Sequence, residues 1–138
     1  MMTKYLADTN FFLRFILQDN QKQARIAEKR LTEAKEGKIS IFFPDEVILE
    51  MEFVMRSFYR IDKDDIVKTL QSLLKMSYLE IENKVLWSKT LQVYEKRNIS
   101  LIDIFLHHKA RQMQAEVLSF DKDFKKLAKF LINFPCQQ

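Results

Sequence analysis

Apolar residues recur along this chain with two periods, short runs of strand length and longer stripes at helical spacing. Lys4 to Ala7 is a short apolar run closed by Asp8, and Thr9 and Asn10 are helix-capping types ahead of Phe11, Phe12, Phe15 and Ile16. The order is strand, acid, helix. Asn20 to Glu36 predicts an amphipathic helix with Ala24, Ala27, Leu31 and Ala34 on one face, stopped by Gly37, and Ile39 to Phe43 predicts a second strand. Pro44, Asp45 and Glu46 suit the first turn of the next helix, which runs to about Tyr59. That helix is apolar nearly all round, with Val47, Met51, Val54 and Phe58 on one face and Ile48, Leu49, Phe53 and Met55 elsewhere, so it is expected to be largely buried.

Asp62 and Asp65 begin another helix, with Ile66, Leu70, Leu73 and Leu74 spaced for core contact, and Tyr78 to Ile81 alternates like a short strand. Asn83 to Arg97 returns to helix, and Ser100 opens a further one to about Ala115. Val117 to Phe120 predicts a strand that delivers Asp121 to a last helix containing Phe124 and Leu127. Strands alternating with helices imply an α/β fold with a mainly parallel sheet covered by helices. In such sheets ligands bind at the carboxyl ends of strands, where Asp8 and Asp121 are both expected.

A length of 138 residues with 47% hydrophobic content supports one domain over residues 1–138 and not two. No apolar run approaches the ~20 residues that span a bilayer, and the N-terminus lacks the order of a signal peptide, so a cytoplasmic protein without membrane contact is expected. The single cysteine, Cys136, excludes a disulfide or a cysteine zinc cluster within the chain and is expected to have no role. One glycine, Gly37, is too few for a phosphate-cradling loop or a dinucleotide fingerprint.

Four acids lie in strongly apolar strings: Asp8 in KYLADTNFFLRFIL, Glu50 in FFPDEVILEMEFVM, Asp103 in SLIDIFLHHKA and Asp121 in EVLSFDKDF. An ionised carboxylate buried without a partner costs several kcal/mol, so four of them suggest a metal site. Each of three also has an ordinary use. Asp8 and Asp121 can cap helices, Asp121 with Asp123 in the same first turn, and Asp103 stands three residues after Ser100 as in a capping box. Glu50 has no such use, being in mid-helix. Glu46, one turn earlier, is the other candidate there, and Glu52 is expected to point to solvent. His107 and His108 are adjacent and face differently on a helix, and neither is counted as a ligand.

Carboxylates without histidine or thiolate suit a hard cation, Mg²⁺ or Mn²⁺, and one or two such ions can support phosphodiester cleavage. The formal charge is +4, from 23 basic and 19 acidic residues. Discounting the four acids as neutralised by metal raises the balance by four, and a surface of that sign attracts a polyanion.

Ala-Asp-Thr-Asn-Phe-Phe-Leu-Arg at 7 to 14, Val-Ile-Leu-Glu-Met-Glu-Phe-Val-Met at 47 to 55, Ile-Asp-Ile-Phe-Leu at 102 to 106 and Leu-Ser-Phe-Asp-Lys-Asp-Phe at 118 to 124 together resemble a PIN-domain ribonuclease. In order, spacing and length the chain is similar to the VapC-type toxins of toxin–antitoxin pairs. The resemblance implies a three-layer α/β/α sandwich with a central, mainly parallel sheet of four to five short strands. It also implies a metal-dependent endoribonuclease with Asp8, Glu50, Asp103 and Asp121 as the catalytic quartet that holds Mg²⁺ or Mn²⁺. Asp123 would be an auxiliary acid, and Ser119 the hydroxyl before Phe-Asp. It implies as partners an RNA substrate, a cognate antitoxin protein and a second copy in a homodimer. One position departs from the family: a glycine common before the last strand is replaced by the stretch Gln112 to Glu116, which leaves the shape of that turn open.

Arg14, Lys122, Lys125 and Lys126 are the basic residues nearest the acids in sequence and are the candidates for holding the RNA backbone. Two rival readings are a catalytically silent PIN-like module that binds RNA or protein, and a phosphatase with an aspartyl nucleophile. The complete quartet argues against the first. The second needs another aspartate two residues after Asp8, where Asn10 stands.

Overall fold

The computed structural model describes residues 2–132, with the side chains of residues 129–132 left aside; Cys136 lies outside the described residues. The chain divides into two compact units, with the division between Asn83 and Lys84.

The first unit contains β1 (Thr3–Leu6), α1 (Thr9–Leu17), α2 (Gln21–Lys35), β2 (Ile39–Phe42), α3 (Asp45–Ser57), α4 (Lys63–Leu74) and β3 (Leu79–Glu80). The strands form a parallel sheet in the order β1-β2-β3, with Thr3 opposite Ile39 and Ile41 opposite Leu79. Past the strand ends, the Ala7 N–H donates to the Phe42 carbonyl and the Phe43 N–H to that of Glu80, at 3.1 and 2.9 Å. This extends pairing up to Asp8 and Pro44. The core forms around Phe12 and Phe43, whose ring centroids are 4.2 Å apart, with Leu13, Ile41 and Ile48 also buried.

Helix starts follow the capping chemistry of the sequence. Asp8 and Asn20 accept from the N–H groups of Phe11 and Gln23, at 2.9 and 3.0 Å, and Pro44 and Asp62 stand at the N-caps of α3 and α4. Gly37, with φ +79°, takes the left-handed conformation that ends α2.

Helix α3 departs from the expected pattern. Its buried face is Ile48, Met51, Glu52 and Met55, a spacing of three and four, whereas Phe53 and Phe58 are exposed. A run apolar all round does not say which stripe packs. The neighbours of this helix decide it.

The second unit contains α5 (Lys84–Lys96), α6 (Leu101–Gln112) and α7 (Asp123–Ile132). Trp87 stacks on Phe105 with centroids 4.1 Å apart, and Leu91, Ile104 and Leu127 are fully buried. The expected strand at Val117–Phe120 does not form, so the described residues hold three strands and not four to five. Leu118 and Phe120 are fully exposed. A strand exists only against a partner edge, and here local bonds take up the backbone instead: the Asp121 N–H donates to Ser119 Oγ and the Asp123 N–H to Asp121 Oδ1, both at 2.9 Å. The turn left open by the missing glycine is made by Gln114, a non-glycine residue with φ +57° at the end of α6.

Candidate metal centre

Three aspartates of the second unit converge. Asp103 sits in the first turn of α6, where its N–H meets Ser100 Oγ at 3.4 Å, so the Ser100 cap fixes the backbone from which this carboxylate projects. The two successive side-chain turns at Ser119 and Asp121 direct the Asp121 and Asp123 carboxylates at the start of α7. Asp103, Asp121 and Asp123 can each offer one oxygen such that all three oxygens lie within 4.8 Å of one another. Two carboxylates about 4 Å apart repel by about 1 kcal/mol in water and about 4 kcal/mol at a protein surface. Lys126 Nζ, 3.7 Å from Asp123 Oδ1, offsets part of this. An oxygen-only donor set of this spacing fits a hard divalent cation.

Asp8 and Glu50 are carried by the first unit. Asp8 follows β1 at the carboxyl end of the parallel sheet, caps α1 and opens on two cavities. One, about 340 Å³, is lined by Tyr5, Phe11 and Ile41 among others; the second, about 220 Å³, includes Asn10 and Arg14. The Arg14 guanidinium donates to Asp19 at 2.9 Å and to the Tyr59 hydroxyl at 2.8 Å. Glu50 lies on the exposed side of α3 together with Glu46.

Two expectations about these acids are corrected. Asp8, Glu50 and Asp121 are exposed and Asp103 is half-buried, so apolar neighbours in sequence do not bury them. Adjacent residues on a helix point in different directions, which lets Met51 turn inward while Glu50 stays in solvent. Conversely Glu52, expected in solvent, is 4% exposed and accepts from Arg56 Nε at 2.8 Å. It is an internal structural acid.

Asp123, which the resemblance makes an auxiliary acid, can bring an oxygen into the same cluster as Asp103 and Asp121. The signal for this was the Asp-Lys-Asp spacing itself, since an Asx turn brings residues i and i+2 to one side. His108 is fully buried and shares a 2.9 Å hydrogen bond with Thr90 through Nδ1. Burial, then the nearby charges of His107, Lys89 and Arg111, push its pKa down to about 4. His107 is also lowered, by burial and then by Arg111. Buried and neutral, His108 is a packing residue that links α5 to α6.

The PIN domain family model matches residues 5–130, which is most of the chain and includes all five acids. The chain belongs to the PIN domain family. A VapC ribonuclease of Aquifex aeolicus (strain VF5) is 29% identical over 129 residues, covering 93% of this chain and 95% of that protein. No solved structure gives a significant match. The PIN match runs across the division at Asn83 and so takes in both the parallel sheet with Asp8 and the three-aspartate cluster. Among the described residues of this PIN domain, no helix is long and apolar enough to cross a membrane.

Proposed function

We propose that this PIN domain is a metal-dependent endoribonuclease, the toxin of a type II toxin–antitoxin pair. The observation that carries the reading is the convergence of Asp103, Asp121 and Asp123 within 4.8 Å in a chain similar along nearly its whole length to a VapC ribonuclease. These three residues would hold Mg²⁺ or Mn²⁺, with Asp8 completing the set and Glu50 either doing the same or orienting the attacking water. A divalent cation supplies charge stabilisation at the phosphodiester oxygens and lowers the cost of deprotonating water near neutral pH.

The chain's own residues do the rest. Ser100 and Ser119 hold the backbones that aim Asp103 and Asp121, through the N–H bonds described above. Lys126 limits repulsion among the carboxylates before the ion binds. Lys122, Lys125 and Lys126 lie on or beside α7 next to the cluster and would hold the RNA backbone, with Arg14 serving from the first unit. We read residues 1–138 as one functional domain acting in the cytoplasm. Its partners would be RNA, a cognate antitoxin and a second copy of the chain.

The test is cleavage of RNA by the purified chain, freed of any bound partner, with Mg²⁺, with Mn²⁺ and with chelator. Activity is expected with either ion and not with chelator, and Asp103→Asn and Asp8→Asn should each abolish it while melting like the native chain. Absence of cleavage with both ions overturns the reading. Sedimentation that gives a monomer at high concentration would overturn the homodimer alone.

A further inference from the structure

A basic cavity of about 250 Å³ lies in the second unit, lined by Arg97, Asn98, Ile99 and Lys126. Arg97 and Asn98 are exposed and Ile99 is buried, so the two polar residues reach solvent from an anchored backbone, and Arg97, like Lys126, would exchange part of an existing interaction for a ligand. The three residues directly precede Ser100, the N-cap of the twelve-residue helix α6, whose positive dipole end adds to the field of the two cations. Lys126 belongs to two groups at once. It lines this cavity, and its Nζ is 3.7 Å from Asp123 Oδ1 of the aspartate cluster. A guanidinium, an ammonium and a side-chain amide offer hydrogen-bond donors and positive charge, which suits a phosphate.

We propose that Arg97, Asn98 and Lys126 form a seat for an RNA phosphate beside the Asp103–Asp121–Asp123 carboxylates, holding the strand through a phosphate next to the one that is cleaved. This rests on the ribonuclease reading and adds Arg97 and Asn98 to it as positioning residues. The physical logic is a division of labour. The carboxylates with their ion act on one phosphodiester, and the cavity fixes a neighbouring one, which sets the register of the strand without reading its bases. When RNA binds, Lys126 exchanges part of its interaction with Asp123 for the phosphate, while an ion takes over the neutralisation of the carboxylate.

The test is steady-state cleavage of a short fluorescein-labelled single-stranded RNA in Mg²⁺ by the native chain and by Arg97→Gln, Arg97→Lys and Asn98→Ala. Arg97→Gln is expected to raise KM by about five- to tenfold with kcat within about twofold, and to lessen the slope of log(kcat/KM) against log salt by about 0.7, the value for one phosphate contact on a single strand. Arg97→Lys should regain most of the loss, and Asn98→Ala should raise KM about twofold or more. Mn²⁺ affinity should be unchanged in all three.

If Arg97→Gln melts like the native chain yet keeps its KM and salt slope, the seat is overturned and the ribonuclease reading stands. Should Arg97→Gln melt early, Asn98→Ala decides, and a native KM there overturns the seat. A native chain that cleaves no RNA with Mg²⁺ or Mn²⁺ overturns both.

Discussion

Protonation of His108 should cost this protein stability in acid. The side chain is 1% exposed and paired with Thr90, and its pKa is pushed down to about 4 from 6.5. The folded chain therefore keeps it neutral while the unfolded chain takes up a proton as pH falls below about 6.5. Stability from this group is fully present above that pH, begins to fall there with a slope of at most about 1.4 kcal/mol per pH unit, and is gone below about pH 4. The full shift corresponds to about 3 kcal/mol. Part of it comes from His107, Lys89 and Arg111, none of them fully buried and all screened by solvent and salt, so about 2 kcal/mol is expected.

Urea denaturation followed by the fluorescence of Trp87, the single tryptophan, measures this for the native chain and for His108→Gln between about pH 7 and about pH 4.5. The variant should be less stable at neutral pH by about 1–2 kcal/mol, from lost packing and a disturbed bond to Thr90, and the gap should close or reverse in acid. Titrating groups that do not interact with His108 are common to both chains and cancel in the difference. Parallel stability curves for the two proteins across that range would refute the account.

Trp87→Ala removes the fully buried ring stacked on Phe105 and should cost about 3–5 kcal/mol in chemical denaturation; a cost under about 1 kcal/mol would mean the ring is not core. Arg56→Ala strips the guanidinium from buried Glu52, and with Lys63 still acting on that carboxylate the expected loss is about 1–2 kcal/mol, read from thermal melting. Gln114→Gly should leave stability unchanged or raise it by about 0.5 kcal/mol, because glycine takes the left-handed conformation without cost. A loss beyond about 1 kcal/mol there would show that this backbone is not left-handed.

The elements were largely legible because they rest on local chemistry. Asp8, Asn20 and Ser100 stand as caps where their types and positions suggested, Gly37 ends α2 with positive φ, and the stripes of α2 and α4 bury the residues their spacing marks. The order of acids and the family followed from the same strings, since cap, turn and ligand chemistry all need particular residue types at particular short spacings.

What lay beyond the sequence depends on neighbours distant along the chain. In α3 every side of the helix offered apolar residues, and only the elements packed against it chose Ile48, Met51, Glu52 and Met55, placing Glu52 inside and Glu50 outside. Val117 to Phe120 has strand-like residues, yet a strand needs an edge to pair with, and the Ser119 and Asp121 side chains bind the backbone first. The sequence by itself thus determined most of the elements and their caps, which are properties of near neighbours. The tertiary structure decided which faces are buried and brought Asp103, Asp121 and Asp123 together, because burial and convergence belong to residues that meet only after the chain has folded.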